Sequence, residues 1–167
     1  MLRTTILIAA TALLSACGSE RSGEFTTEDG ERGEYMIDSS TGETTARIET
    51  PEGEATLRSG ANVPVELPDG FSVYPGATVV SNTAVNHGEG KGNLVLMQID
   101  ASPDDVIDHY RDEAEDAGFD IQIEMTVNEG KMIGGEGPGD SFFSVNASQT
   151  EGEPTQAQLM LGSKLGG

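Results

Sequence analysis

Tryptophan is absent, cysteine occurs once, and Lys and Arg together number 9 against 29 Asp and Glu. Each scarcity removes a class of explanation. One cysteine allows neither an intrachain disulfide nor a cysteine-based zinc cluster. A formal charge of −20 repels phosphate backbones, so no nucleic-acid partner is expected. The chain also lacks the basic clusters that a peripheral grip on anionic lipid requires. A solubilising acidic surface is the simplest use of so many carboxylates. With three Tyr and five Phe, any core must come mostly from Val, Ile, Leu and Met. The length of 167 residues suits one modest domain with extras.

Long apolar runs are missing too, except at the start. Residues 1–16 contain no acid and one base, Arg3, and Ile6 to Leu14 form an apolar stretch closed by Ser15-Ala16-Cys17. Charged start, apolar middle and small residues before a cut make a signal peptide. The stretch falls short of the roughly 20 residues that a transmembrane helix needs. Leu14-Ser15-Ala16-Cys17 resembles the lipobox of bacterial lipoproteins. That resemblance implies cleavage between Ala16 and Cys17 and a diacylglyceryl group on the Cys17 sulfur, a lasting membrane anchor. Gly18, rather than Asp, after the cysteine implies the periplasmic face of the outer membrane within the cell envelope.

From Cys17 to Asn62 the chain is rich in Gly, Glu, Thr and Ser, a composition that buries too little to offset the entropy of ordering. An acidic tether over residues 17–62 follows. A repeat points another way. Gly42-Glu43-Thr44-Thr45-Ala46-Arg47 recurs as Gly53-Glu54-Ala55-Thr56-Leu57-Arg58, with Pro51-Glu52-Gly53 as turn chemistry between the copies. The alternation from Thr44 to Thr50 predicts short hairpin strands docking on the edge of the domain. Both readings stand at this point.

Residues 63–167 carry the domain. Val63 to Phe71 is extended by its prolines and turns at Pro68-Asp69-Gly70. Strands are expected over 78–85 and 93–99, joined as a hairpin by His87-Gly88-Glu89-Gly90-Lys91-Gly92. Ser102-Pro103-Asp104-Asp105 opens a helix: an N-cap serine, proline in the first turn, and acids at the positive end of the dipole. Val106, Ile107, Tyr110, Ala114 and Ala117 form its apolar stripe, and Gly118 stops it. Phe119, Ile121, Ile123, Met125 and Val127 then alternate with polar residues, which predicts a strand with one buried face and places Gln122 in water. Further strands are expected at 131–133, 142–147 and 157–161. The order β-β-α-β-β-β-β with short connections predicts an α+β fold, an antiparallel sheet with one helix packed on a face.

Tyr74-Pro75-Gly76-Ala77, Ser102-Pro103-Asp104-Asp105-Val106, Tyr110-Arg111 and Gly118-Phe119 together resemble a recurring domain of uncharacterised bacterial envelope proteins. Its common form carries a YPGA turn, a SPEEV…FYR helix and a Gly-Trp pair. The resemblance spans roughly residues 63 to 162 and implies the fold, but no activity.

Catalytic and ligand-holding patterns are missing. His87 and His109 have no partners at metal-ligand spacing, so both read as surface histidines. No Gly-x-Ser-x-Gly elbow occurs. Gly88-Glu89-Gly90-Lys91-Gly92 misses a P-loop, since Val85 and Gly92 stand where Gly and Ser or Thr are required. The glycines at 134–139 lack the strand-then-helix setting of a dinucleotide site, and no EF-hand loop is present. No catalytic residue, metal or cofactor is therefore expected. The expected role is a membrane-anchored envelope lipoprotein that binds or braces a periplasmic protein without catalysis. A small-ligand or cation carrier, and an enzyme with an unrecognised site, are the alternatives. A pocket with convergent polar groups would favour the alternatives, and an exposed apolar strip on the sheet would favour the first.

Overall fold

The computed structural model describes residues 20–163, apart from 28, 29, 52 and 89. The signal peptide, the cut between Ala16 and Cys17 and the lipid on Cys17 lie outside the described residues.

Ten strands form one sheet: β1 (Glu20–Thr26), β2 (Arg32–Asp38), β3 (Thr44–Thr50), β4 (Gly53–Gly60), β5 (Thr78–His87), β6 (Gly90–Ile99), β7 (Asp120–Val127), β8 (Gly130–Gly137), β9 (Ser141–Ser148) and β10 (Thr155–Ser163). Their order across the sheet is β1-β2-β3-β4-β5-β6-β10-β9-β8-β7, and every pairing is antiparallel. Helix α1 (Pro103–Asp116) carries the chain from β6 to the far edge. The remaining strands then run back until β10 pairs with β6. The α+β class and the β-β-α-β-β-β-β order of residues 78–163 are as expected.

The helix starts where its chemistry dictates. Ser102 caps Asp105 N through Oγ at 3.2 Å, and the Asp105 carboxylate reaches back to Ser102, completing a capping box. Val106, Ile107, Tyr110 and Ala114 are buried, against β7, β8 and β9. Gly118, at φ 82°, lets Phe119 N reach Ala114 O at 2.8 Å, and the chain reverses into β7. The core joins this stripe to Val95, Met97 and Ile99 of β6, Ile133 of β8, Phe143 and Val145 of β9, and Leu159 and Leu161 of β10.

Residues 20–60, read as a spacer from their composition, are four strands that continue the sheet from the β5 edge. The repeat supplied the better signal. Its two copies are β3 and β4, paired with Ala46 opposite Leu57 and Thr45 opposite Arg58. These strands have little core of their own and hold by ladder bonds and cross-strand pairs, among them Arg58 to Glu43 at 2.7 Å. Aromatic rings lie over facing glycines: a Cβ on Gly33 would sit 2.3 Å from the Phe25 ring, and one on Gly23 would sit 2.7 Å from that of Tyr35.

The face of β7 differs from expectation. Ile121 pairs with Gly135 and Ile123 with Gly134, so Gln122 is an extra residue in a bulge. Side chains alternate strictly along a strand, so one inserted residue exchanges the faces beyond it. Phe119 and Ile121 pack on the core. Ile123, Met125 and Val127 are exposed on the face away from α1. Glu124 takes the helix side instead, where Arg111 donates to its Oε1 at 2.7 Å.

Candidate functional site

Between β4 and β5, residues 61–77 cross the helix side of the sheet as a strap. Asn82 and Asn93 donate through Nδ2 to the carbonyls of Pro64 (2.7 Å) and Glu66 (2.8 Å). Ser72 donates from its backbone N and from Oγ to the Glu113 carboxylate at 3.2 and 2.6 Å. The Tyr110 hydroxyl accepts from Tyr74 N (3.1 Å) and donates to Ser72 O (3.2 Å). Burial holds the Tyr110 phenol well above its ordinary pKa, so it stays neutral and keeps both roles. Strap, helix and sheet are thereby fixed as one framework.

Beneath α1 the framework is filled: Val106, Tyr110, Ala114, Ile133, Val145 and Leu159 have no exposed surface. Space opens instead at the end of the sheet, beyond the last turn of α1. A cleft of about 590 Å³ lies between Glu66 to Asp69 of the strap, Lys91 and Asn93 of β6, Ala117 and Phe119, Pro138, Ser141 and Phe142, and Leu161 to Ser163 of β10. That volume is in the range of small-molecule sites. Its apolar wall is Leu67, Pro68, Ala117, Phe119, Phe142 and Leu161. Phe119 stacks edge-on against Phe71 and Phe143, with ring centres 5.3 and 5.4 Å apart, which keeps the wall rigid. Gly162 makes room for Phe142, since a Cβ there would meet that ring at 2.5 Å.

The polar part of the cleft is electronegative. Lys91 is the one cation among its lining residues, beside Glu66 and Asp69. The nearby end of α1 has no basic residue in its last turn, leaving the negative pole of the helix dipole unopposed there. Asn93 is committed through Nδ2 to Glu66, while its Oδ1 is buried and has no partner among the described residues. An acceptor left unsatisfied out of water costs free energy. A donor that reached this oxygen would remove that cost.

The other residues singled out from sequence lie elsewhere. His87 Nε2 is 3.0 Å from the Thr50 hydroxyl, at the hairpin end of β5 on the face away from α1. His109 is half-buried between Tyr74 and Tyr110, its Nε2 3.4 Å from Glu113. Gly88 sits in the β5–β6 hairpin turn, and the glycines at 134–139 form β8 and the turn into β9. Among the described residues, no three His, Cys, Asp or Glu side chains gather to hold a metal. No described helix is long and apolar enough to cross a membrane. Sequence reasoning missed Asn93 because nothing local marks it; it comes opposite Leu161 only because β10 inserts between β6 and β9.

A family model described as START domain-like matches residues 79–155, from the second residue of β5 through α1 to the first of β10. This is under half of the chain. It includes Lys91, Asn93, Phe119 and Phe142 but neither the strap nor the end of β10. No curated protein and no solved structure matches the chain.

Proposed function

We propose that this chain is a lipid-anchored, non-catalytic binding protein of the bacterial cell envelope, whose cleft takes a small apolar molecule bearing a hydrogen-bond donor. The Leu14-Ser15-Ala16-Cys17 box supports the anchor, and Gly18 supports the outer membrane. The START domain-like similarity over residues 79–155 supports ligand binding. The observation that carries the reading is the cleft of about 590 Å³ with its apolar wall, whose lining includes Asn93, a residue with an unpaired, buried Oδ1. An aromatic or aliphatic body would cover Phe119 and Leu161 while its donor satisfies Asn93. The electronegative rim favours an uncharged or cationic molecule over an anion.

N-phenyl-1-naphthylamine, an uncharged apolar fluorophore with one N–H, is a suitable probe. Its fluorescence should rise on binding the native chain. Ser163→Trp, which places a large ring at the mouth, should weaken binding about tenfold or more, equivalent to about 1.4 kcal/mol. Gln158→Ser, on the opposite face of the same strand, should leave binding unchanged. Equal affinity of the native and Ser163→Trp proteins would remove the cleft from the account.

A further inference from the structure

The sheet has a second face, and nothing in the described fold covers it. Directly paired residues of antiparallel strands share a face, so the registers define this one strand by strand. One row runs Ile123, Gly134, Ser144, Met160, Leu94, Thr83, Ser59, Thr44, Ile37. Its neighbours add Met125, Leu96, Val85, Leu57 and Tyr35, with Gln, Asn, Ser, Thr and Gly between them. Most of the exposed large apolar side chains lie on it: Leu96, Met160, Ile123, Met125, Val127 and Tyr35, with Met36 on the helix side.

Charge is partitioned between the two faces. Among the described strand residues, the formal charges on the open face are Arg21 on edge strand β1 and Asp120 and Glu136 at the opposite corner. The acids and bases of β1 to β4 from Glu24 to Arg58 point to the helix side, as the pairings Glu24 with Glu34, Glu34 with Arg47 and Glu49 with Glu54 require. A molecule of formal charge −20 thus has a broad face that is almost neutral. Such a face avoids the largest dehydration cost, that of burying unpaired charge, and its amides and hydroxyls can bond to headgroup oxygens.

The chain also fixes what lies near that face. Three residue steps separate Cys17 from Glu20, where β1 begins, a reach of about 11 Å when fully extended. If Cys17 is lipidated, no spacer holds the sheet away from the bilayer, and the headgroup layer is present at very high effective concentration. We infer that the open face of the sheet rests on the bilayer that anchors Cys17. In this orientation neutral and apolar side chains meet the headgroups, and the acidic helix side, with the cleft, faces the aqueous space. This inference rests on the anchor proposed above. A second copy is the less favoured occupant, because stacking two sheets at about 10 Å brings two strongly anionic bodies together.

Native tryptophan is absent, so single introduced tryptophans report position. The chain from Cys17 onward contains every described residue and one thiol. It can be coupled through that thiol to a maleimide lipid in phosphatidylcholine vesicles containing brominated phosphatidylcholine. The expected result is quenching of Leu96→Trp, Met160→Trp and Gln158→Trp about threefold or more stronger than that of Asp108→Trp on the helix, as interfacial burial of 5–10 Å implies. Using three open-face positions guards against one variant that misfolds. Equal quenching on both faces, or none on the open face, overturns the inference. Open-face tryptophans that are shielded without lipid, in a species sedimenting as a dimer, overturn it in favour of a second copy. Because the anchor here is chemical, the lipoprotein reading is tested separately. Labelled fatty acid should appear on the native protein in cells and not on Cys17→Ser.

Discussion

Leu159→Ala is expected to lower the unfolding free energy by about 2–5 kcal/mol, while Ile123→Ala costs less than about 1 kcal/mol. Leu159 lies on β10, the strand that joins the two halves of the sheet, and has no exposed surface; Ile123 is 51 % exposed. Truncating Leu159 removes buried carbons and leaves a cavity between β6, β9 and α1 that the crowded neighbours Val95, Val145 and Tyr110 cannot collapse to fill. Truncating Ile123 removes carbons that already touch water. Denaturant melts of the two variants check the contrast. Comparable losses would mean that β7 turns its apolar row inward.

Gly135→Ala is expected to cost about 3 kcal/mol or more, which is large for one added methyl group. The bulge at Gln122 presses the Asp120 carbonyl onto the Gly135 α-carbon, and a Cβ there would lie 2.0 Å from that oxygen. The obstacle is backbone rather than a movable side-chain tip, so β7 must lift off β8 or the bulge must move. Gly139→Ala is a useful comparison: its Cβ meets nothing within 4 Å, so any cost there is that of φ 68° alone. Thermal melts in which Gly135→Ala is no more damaging than Gly139→Ala would show that the bulge is absent.

Local signals were read correctly where they decide the structure alone. Ser102, Pro103 and Gly118 bound the helix by capping chemistry, and Val106, Ile107, Tyr110 and Ala114 are buried as their spacing requires. The strands from Thr78 onward were visible as β-branched and alternating runs. Alternation in β7 was misleading because a bulge has no sequence mark: Gln122 is an ordinary polar residue until Gly135 gives it room to slip. Composition was misleading for residues 20–60. A strand held in a ladder can persist with few buried side chains; the repeat marked β3 and β4, while nothing in the Gly/Glu/Thr bias marks the edge strand β1. The cleft was out of reach for a different reason. Asn93 and Leu161 come together through the β6–β10 pairing, a contact of long sequence separation that no window along the chain reveals.

On the proposed division the cleft takes the ligand and the open sheet takes the bilayer, so an apolar ligand should leave the open face alone. Backbone amide shifts of the full-length mature chain, titrated with N-phenyl-1-naphthylamine in the absence of lipid, test it most directly. Shifts are expected to concentrate at Lys91, Asn93, Phe119 and Ser163, with Leu96, Met125 and Gln158 unmoved. Shifts centred on Leu96, Met125 and Gln158, with Asn93 unmoved, would contradict it, because the apolar ligand would then occupy the open face.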